Sequence, residues 1–166
     1  MRKRVVLDTN ILVEFIDNAG PGFETLLRIM EKCDELEIAS CWKMMEELFT
    51  TLQKRKGFLP KSSDMTVRLF IKTLEGMNKL LLNDYSQMNL EIEISEKDRY
   101  FCELAVQCQA TYLISNDSHH FLPVKEPMKE LYGVNVLSSS EFLENEGHVE
   151  DWEKMRSLMG PNFVRT

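Results

Sequence analysis

The chain has 166 residues, with 20 Lys+Arg against 27 Asp+Glu and a formal net charge of -7. Hydrophobic residues at 43% and charged residues at 28% fit one water-soluble domain with a sizeable core, and the length leaves no room for a second full domain. No apolar run approaches the roughly 20 residues of a membrane helix. The basic start Arg2-Lys3-Arg4 is followed by only three apolar residues before Asp8, against the roughly 7–15 of a signal peptide. Cys33, Cys41, Cys102 and Cys108 form no CxxC pair and are expected as reduced thiols of a cytoplasmic protein. Secreted, membrane-bound and disulfide-stapled classes are thereby excluded.

Arg4-Val5-Val6-Leu7-Asp8 predicts a short strand buried on both faces, β-branched and without alternation. Thr9 or Asn10 can cap a helix running to Ile16. Asn18 to Gly22 is a turn, after which Phe23, Leu26, Leu27, Ile29 and Met30 recur at helical spacing. Glu37 to Ser40 is a short strand, and Ser40 can cap a helix through Met44, Met45, Leu48 and Leu52 that ends near Gly57. Pro60 to Asp64 breaks the chain, and a long amphipathic helix is expected from about Met65 to Leu82. Leu90-Glu91-Ile92-Glu93-Ile94 alternates with period two, the pattern of a half-buried strand. Ser95 then caps a helix carrying Tyr100, Phe101, Leu104 and Ala105, with Asp98 in its first turn. Thr111 to Ser115 and Val134 to Leu137 are the last two strands, and Ser138 to Ser140 leads into a helix through Leu143. Strands alternating with helices imply a three-layer α/β/α arrangement around a central parallel sheet of four or five strands. Residues 1–144 form that domain, and 145–166 are an acidic appended segment.

Charge is unevenly spread. Residues 1–83 net +1 and residues 84–166 net -8. Between residues 50 and 83 lie Lys54, Arg55, Lys56, Lys61, Arg68, Lys72 and Lys79, with only Asp64 and Glu75 opposing them. Such a stretch is either a solvated face or a local surface for phosphates.

In an open parallel sheet, ligands bind beyond the carboxyl ends of the strands where strand order reverses. Two predicted strands run into acids there, Asp8 and Asp117, with polar Thr9-Asn10 and Ser115-Asn116 beside them. A single strand-end Asp is commonly no more than a helix cap, but two on neighbouring strands share one crevice. Adjoining helices can add Asp98 and either Glu46 or Glu47. Gathered carboxylates raise one another's pKa unless a cation joins them, and their natural occupant is Mg²⁺ or Mn²⁺. A cation so held polarises a phosphoryl oxygen and acidifies a water, which is the chemistry of phosphodiester hydrolysis.

The string Val5-Val6-Leu7-Asp8-Thr9-Asn10-Ile11-Leu12-Val13 resembles the opening of the PIN-domain family of metal-dependent nucleases. Three further matches follow in order. These are Glu47-Leu48 on a helix, Asp98 ahead of Ala105, and Thr111-Tyr112-Leu113-Ile114-Ser115-Asn116-Asp117 with its hydroxyl–any–Asp ending. The closing strand and helix, Val134 to Leu143, extend the resemblance to about residues 4–144. It implies a PIN-like fold and an acidic metal site of Asp8, Glu47, Asp98 and Asp117, with Asn10 and Ser115 orienting waters or carboxylates. Glu46 is the fallback for Glu47, because helical spacing alone does not separate them. It further implies Mg²⁺- or Mn²⁺-dependent endoribonuclease activity through a metal-activated water, with RNA as substrate and DNA left open. By the same resemblance the chain is a candidate toxin of a toxin–antitoxin pair with an antitoxin partner, and a candidate homo-oligomer; Val67, Phe70, Ile71 and Leu74 on the expected helix at about 65–82 are either apolar surface for such pairing or simply core.

Lys54, Arg55 and Lys56 are the expected backbone contacts of the nucleic acid. The sequence departs from the family at His119, where many relatives carry another acid; His120 and Phe121 follow it. Leu122 to Tyr132 is longer than the usual connection, and the segment after Asn145 has no counterpart. Two other classes stay open: a catalytically weak PIN-like binding or regulatory module, and a phospho-accepting signalling domain. The second would present paired acids after the first strand, where only Asp8 stands.

Overall fold

Strand propensity and burial coincide at Val5-Val6-Leu7, all fully buried, and this run forms the middle of the sheet. The computed structural model describes residues 1–17, 19–54, 68, 71–72 and 80–159. Its elements are β1 (Lys3–Leu7), α1 (Thr9–Ile16), α2 (Gly20–Glu31), β2 (Leu36–Ser40), α3 (Trp42–Gln53) and β3 (Leu80–Leu82). They continue with α4 (Glu96–Gln107), β4 (Tyr112–Ile114), α5 (Ser118–Phe121), a 3-10 turn (Leu122–Val124), α6 (Lys125–Tyr132), β5 (Asn135–Leu137), α7 (Ser139–Glu146) and α8 (Trp152–Met159).

All pairings are parallel, and the strand order is β3-β2-β1-β4-β5. The chain builds outward from β1 to β2 and β3, then crosses to the other side of β1 for β4 and β5. The order therefore reverses between β1 and β4, where the register sets Val5 beside Tyr112 and Leu7 beside Ile114. The ladder runs on past both strands: Asp8 N donates to Ile114 O at 2.9 Å, and Ser115 N to Leu137 O at 3.0 Å. This brings Asp8 and Ser115 to one edge.

The five parallel strands and the helical layers agree with the sequence-based architecture, but the strand nearest the β2 edge comes from elsewhere. Leu80–Leu82 pairs with Ile38–Ser40, inside the stretch expected to end a long helix. Leu90 to Ile94, expected as a strand, forms none. Its alternation reports one-sided burial instead: Leu90 and Ile92 are buried while Glu91 and Glu93 face solvent. Side chains, not a neighbouring strand, satisfy its backbone. Arg99 donates to Leu90 O at 2.8 Å and Ile92 O at 3.1 Å, and Glu91 N donates to the Tyr132 hydroxyl at 2.9 Å.

The helix caps differ slightly from expectation. Asp8, not Thr9 or Asn10, occupies the position before α1, and Cys41, not Ser40, the one before α3. Ser138 before α7 forms a full capping box with Glu141. All four cysteines are free, and burial pushes the thiols of Cys102 and Cys108 up to about 12 and about 11. Among the described residues no helix is long and apolar enough to cross a membrane. Of the apolar residues expected to support self-association, Ile71 packs partly buried against the core, and Val67, Phe70 and Leu74 lie outside the described residues.

Candidate active site

At the carboxyl edge of β1 the chain turns directly into α1, with Asp8 the single residue between them. Its backbone is extended (φ -60°, ψ 149°) and its side chain does not cap the helix. Instead Asp8 Oδ2 accepts from Ser115 Oγ at 2.7 Å, across the junction of β1 and β4. The same Ser115 oxygen accepts from Asp117 N at 3.0 Å. One hydroxyl thus orients the carboxylate of one strand end and the backbone of the other. Asn116 fixes the far side of that turn, accepting from Ser139 N at 2.9 Å and donating to Ser139 Oγ at 3.0 Å.

Asp98 comes from the first turn of α4. It is buried, accepts from Ser95 Oγ at 2.7 Å, and approaches His120 Nδ1 at 3.1 Å. His120 Nδ1 is also 2.9 Å from Asp117 Oδ2. A single imidazole nitrogen therefore lies between two acids from different elements. Glu47 is half-buried on α3 and accepts from the Tyr100 hydroxyl, while Glu46 is exposed. Tyr100 thus partners Glu47, of the two glutamates that helical spacing could not separate. Burial, reinforced by the bond to Glu47, holds the Tyr100 phenol well above its ordinary pKa, so it remains a donor.

Asp8 feels two of the other acids. Burial pushes its carboxyl up to about 6; the Ser115 hydrogen bond opposes the rise, and the charges of Asp98 and Glu47 add to it. Thr9, next in the chain, is buried with its hydroxyl unpartnered among the described residues, although that hydroxyl lies close enough to act on the Tyr100 phenol.

The six residues predicted from sequence are unequally placed. Asp8, Asp98 and Glu47 interact electrostatically, Asp117 meets Asp98 through His120, and Ser115 ties Asp8 to Asp117. Asn10 is exposed on the first turn of α1, and no hydrogen bond joins it to the acids among the described residues. Sequence reasoning missed Tyr100, whose spacing marks it as core, and it singled out His119 rather than His120. The usable signal was position: His120 stands three residues after Asp117, one helical turn, so it returns to the acid's side.

The donor types suit a hard divalent cation, since all four are carboxylates. As the side chains stand, no group of three or more His, Cys, Asp or Glu among the described residues could hold a metal ion. Asp98 and Asp117 are turned to their common partner His120.

A five-stranded parallel sheet whose order reverses between β1 and β4, with Asp8 at that edge, defines an α/β protein. The chain matches the family model for the PIN domain over residues 4–119, and it belongs to that family, whose members are generally nucleases. Among solved structures it is similar to a chain in the crystal structure of VapBC2 from Rickettsia felis bound to a DNA fragment from their promoter. That likeness has a TM-score of 0.54 at 17% identity and covers 81% of this chain and 98% of that one, so it bears on the fold. No curated protein matches the chain.

Proposed function

We propose that this chain is a metal-dependent endoribonuclease working at Asp8, Glu47, Asp98 and Asp117, and that it is the toxin of a toxin–antitoxin pair. The observation that carries the reading is the pairing of Asp8 and the Asp117 backbone through Ser115 at the β1/β4 edge. Mg²⁺ or Mn²⁺ bound there would supply Lewis-acid polarisation of a phosphoryl oxygen and acidify a water. The chain's own part is positional. Ser115 holds the Asp8 carboxylate in line with the Asp117 turn, Tyr100 fixes the Glu47 carboxylate, and Asp98 and Asp117, which share His120 as partner, would complete the acids holding the cation. Because the acids must be ionised to serve, the burial that pushes the Asp8 carboxyl up to about 6 delays its availability until pH rises through that value.

An antitoxin partner is supported by the family and by the similar chain, which was crystallised in a VapBC2 complex. RNA rather than DNA follows from the resemblance of the sequence. Asp98 and Asp117, both turned to His120, are the observation that favours the second reading, a catalytically weak binding module.

Titrating Mn²⁺ calorimetrically into metal-stripped protein, beside a cleavage assay on structured RNA, separates the two. Saturable binding and Mn²⁺-dependent cleavage are expected in the wild type, with both lost in Asp8→Asn plus Asp117→Asn. Cleavage that survives in the double variant would sink the acidic-site mechanism. Metal binding without cleavage of any RNA offered would favour the binding module.

A further inference from the structure

We infer that Lys43 is the anchor for a backbone phosphate of the bound strand, held by Tyr85 and Tyr100 one helical turn before Glu47. The inference rests on the nuclease reading above and names a substrate contact on this chain.

Lys43 is the second residue of α3 and is exposed. Its ammonium stands 4.5 Å from the centre of the Tyr100 ring and 5.1 Å from that of Tyr85. Both distances are within the range of cation–π attraction. The two rings meet edge to face, 6.0 Å apart at 72°. Tyr100 is the residue that donates to Glu47, and Lys43 precedes Glu47 by four residues, so the cation and the candidate acid share one helix face.

Three features distinguish this lysine from an ordinary solvated one. It lies in the first turn of a helix, where the dipole disfavours a cation, and no acid in that turn offsets it. Among the described residues it makes no ion pair and no hydrogen bond, so its three N–H donors are available. Its platform is itself fixed: Tyr100 is buried, and the Tyr85 hydroxyl donates to buried Glu103 at 3.4 Å, which also accepts from Met88 N. A side chain with large rotamer freedom is thus restrained beside a cluster of carboxylates. A polyanion approaching those carboxylates is repelled by them, and a fixed cation one helical turn away gives its phosphate a place to bind.

Lys54 ends α3, eleven residues beyond Lys43 and about 16 Å farther along the axis, away from the site edge. Arg55 and Lys56 lie outside the described residues.

The test is binding of a labelled single-stranded RNA oligonucleotide, followed by fluorescence anisotropy across a salt series in EDTA. Wild type, Lys43→Gln, Lys43→Arg and Tyr85→Leu are compared, with thermal melts confirming that each is folded. Lys43→Gln is expected to weaken binding and to reduce the slope of log K against log salt by about 0.7, the loss of one single-strand phosphate contact. Lys43→Arg should restore the slope. Tyr85→Leu should weaken binding at an unchanged slope, because the charge remains but its position is no longer held. Wild-type affinity and slope in Lys43→Gln would overturn the anchor while leaving the nuclease reading in place. A wild type that neither binds the oligonucleotide, in EDTA or in Mn²⁺, nor cleaves it would overturn both.

Discussion

Asp8 carries a stability penalty that can be measured apart from any activity. Its carboxyl lies at about 6 in the fold against an ordinary 3.8, chiefly because it is buried. The protonated form is therefore the one the fold favours. This contribution is fully present below pH 3.8 and is lost as pH rises through about 6, amounting to about 3 kcal/mol. Metal-free protein should lose stability across that window. Asp8→Asn keeps an acceptor for Ser115 Oγ and removes the charge, so at pH 7 it should raise stability by up to about 3 kcal/mol and flatten the pH profile. Urea unfolding at several pH values reads both effects; a variant with the wild-type slope would show that Asp8 is not the titrating group. Asp8 and Asp117 could be found in the sequence because strand ends are legible as ends of buried runs. Tyr100 and His120 could not, because an aromatic at helical spacing and one of two adjacent histidines gain their meaning only when α4 and α5 pack toward each other.

The elements were legible where periodicity and burial agree, and misleading where one imitates the other. β1, β4 and β5 are runs buried on both faces, so no alternative period competes. Leu80–Leu82 follows an amphipathic stretch without a break, which hides a three-residue strand in what looks like the end of a helix. The stretch from Leu90 to Ile94 alternates as a strand should, yet its carbonyls are taken by the forked guanidinium of Arg99. Pattern records which side chains are buried and does not record what satisfies the backbone. Arg99→Met keeps the aliphatic bulk and leaves two carbonyls without their charged donor. It should cost about 1.5–3 kcal/mol in denaturant unfolding. A loss below about 0.5 kcal/mol, the range of a neutral surface change, would mean that solvent replaces the donor and that burial of Leu90 and Ile92 alone holds the segment.

On the scale of the whole molecule, residues 147–155 pack against α2, although the family match ends at residue 119. Arg28, buried in α2, donates through Nε and Nη2 to Glu146 O at 3.0 and 2.9 Å and pairs with Glu150 at 3.1 Å. Glu31 accepts from Glu150 N at 3.1 Å and Asp151 N at 2.8 Å, and Val149 and Met155 are buried. The Glu146 carboxylate turns the other way, to Lys3 at 2.6 Å and Tyr112 at 2.5 Å, tying the start of β1 and β4 to the end of α7. Gly147 makes the turn possible: its φ is +85°, and a Cβ there would stand 2.8 Å from Arg28 Nη2. Gly147→Ala therefore imposes a strained backbone and displaces the guanidinium at once, and should cost about 1–3 kcal/mol. If the acidic segment were a loose appendage, the same change would leave the melting temperature of the full chain where it was. A clear drop in that temperature, with faster amide exchange along α2 as well as α8, is the expected result. It would show that the clasp on α2 and the sheet that carries the acids open as one unit.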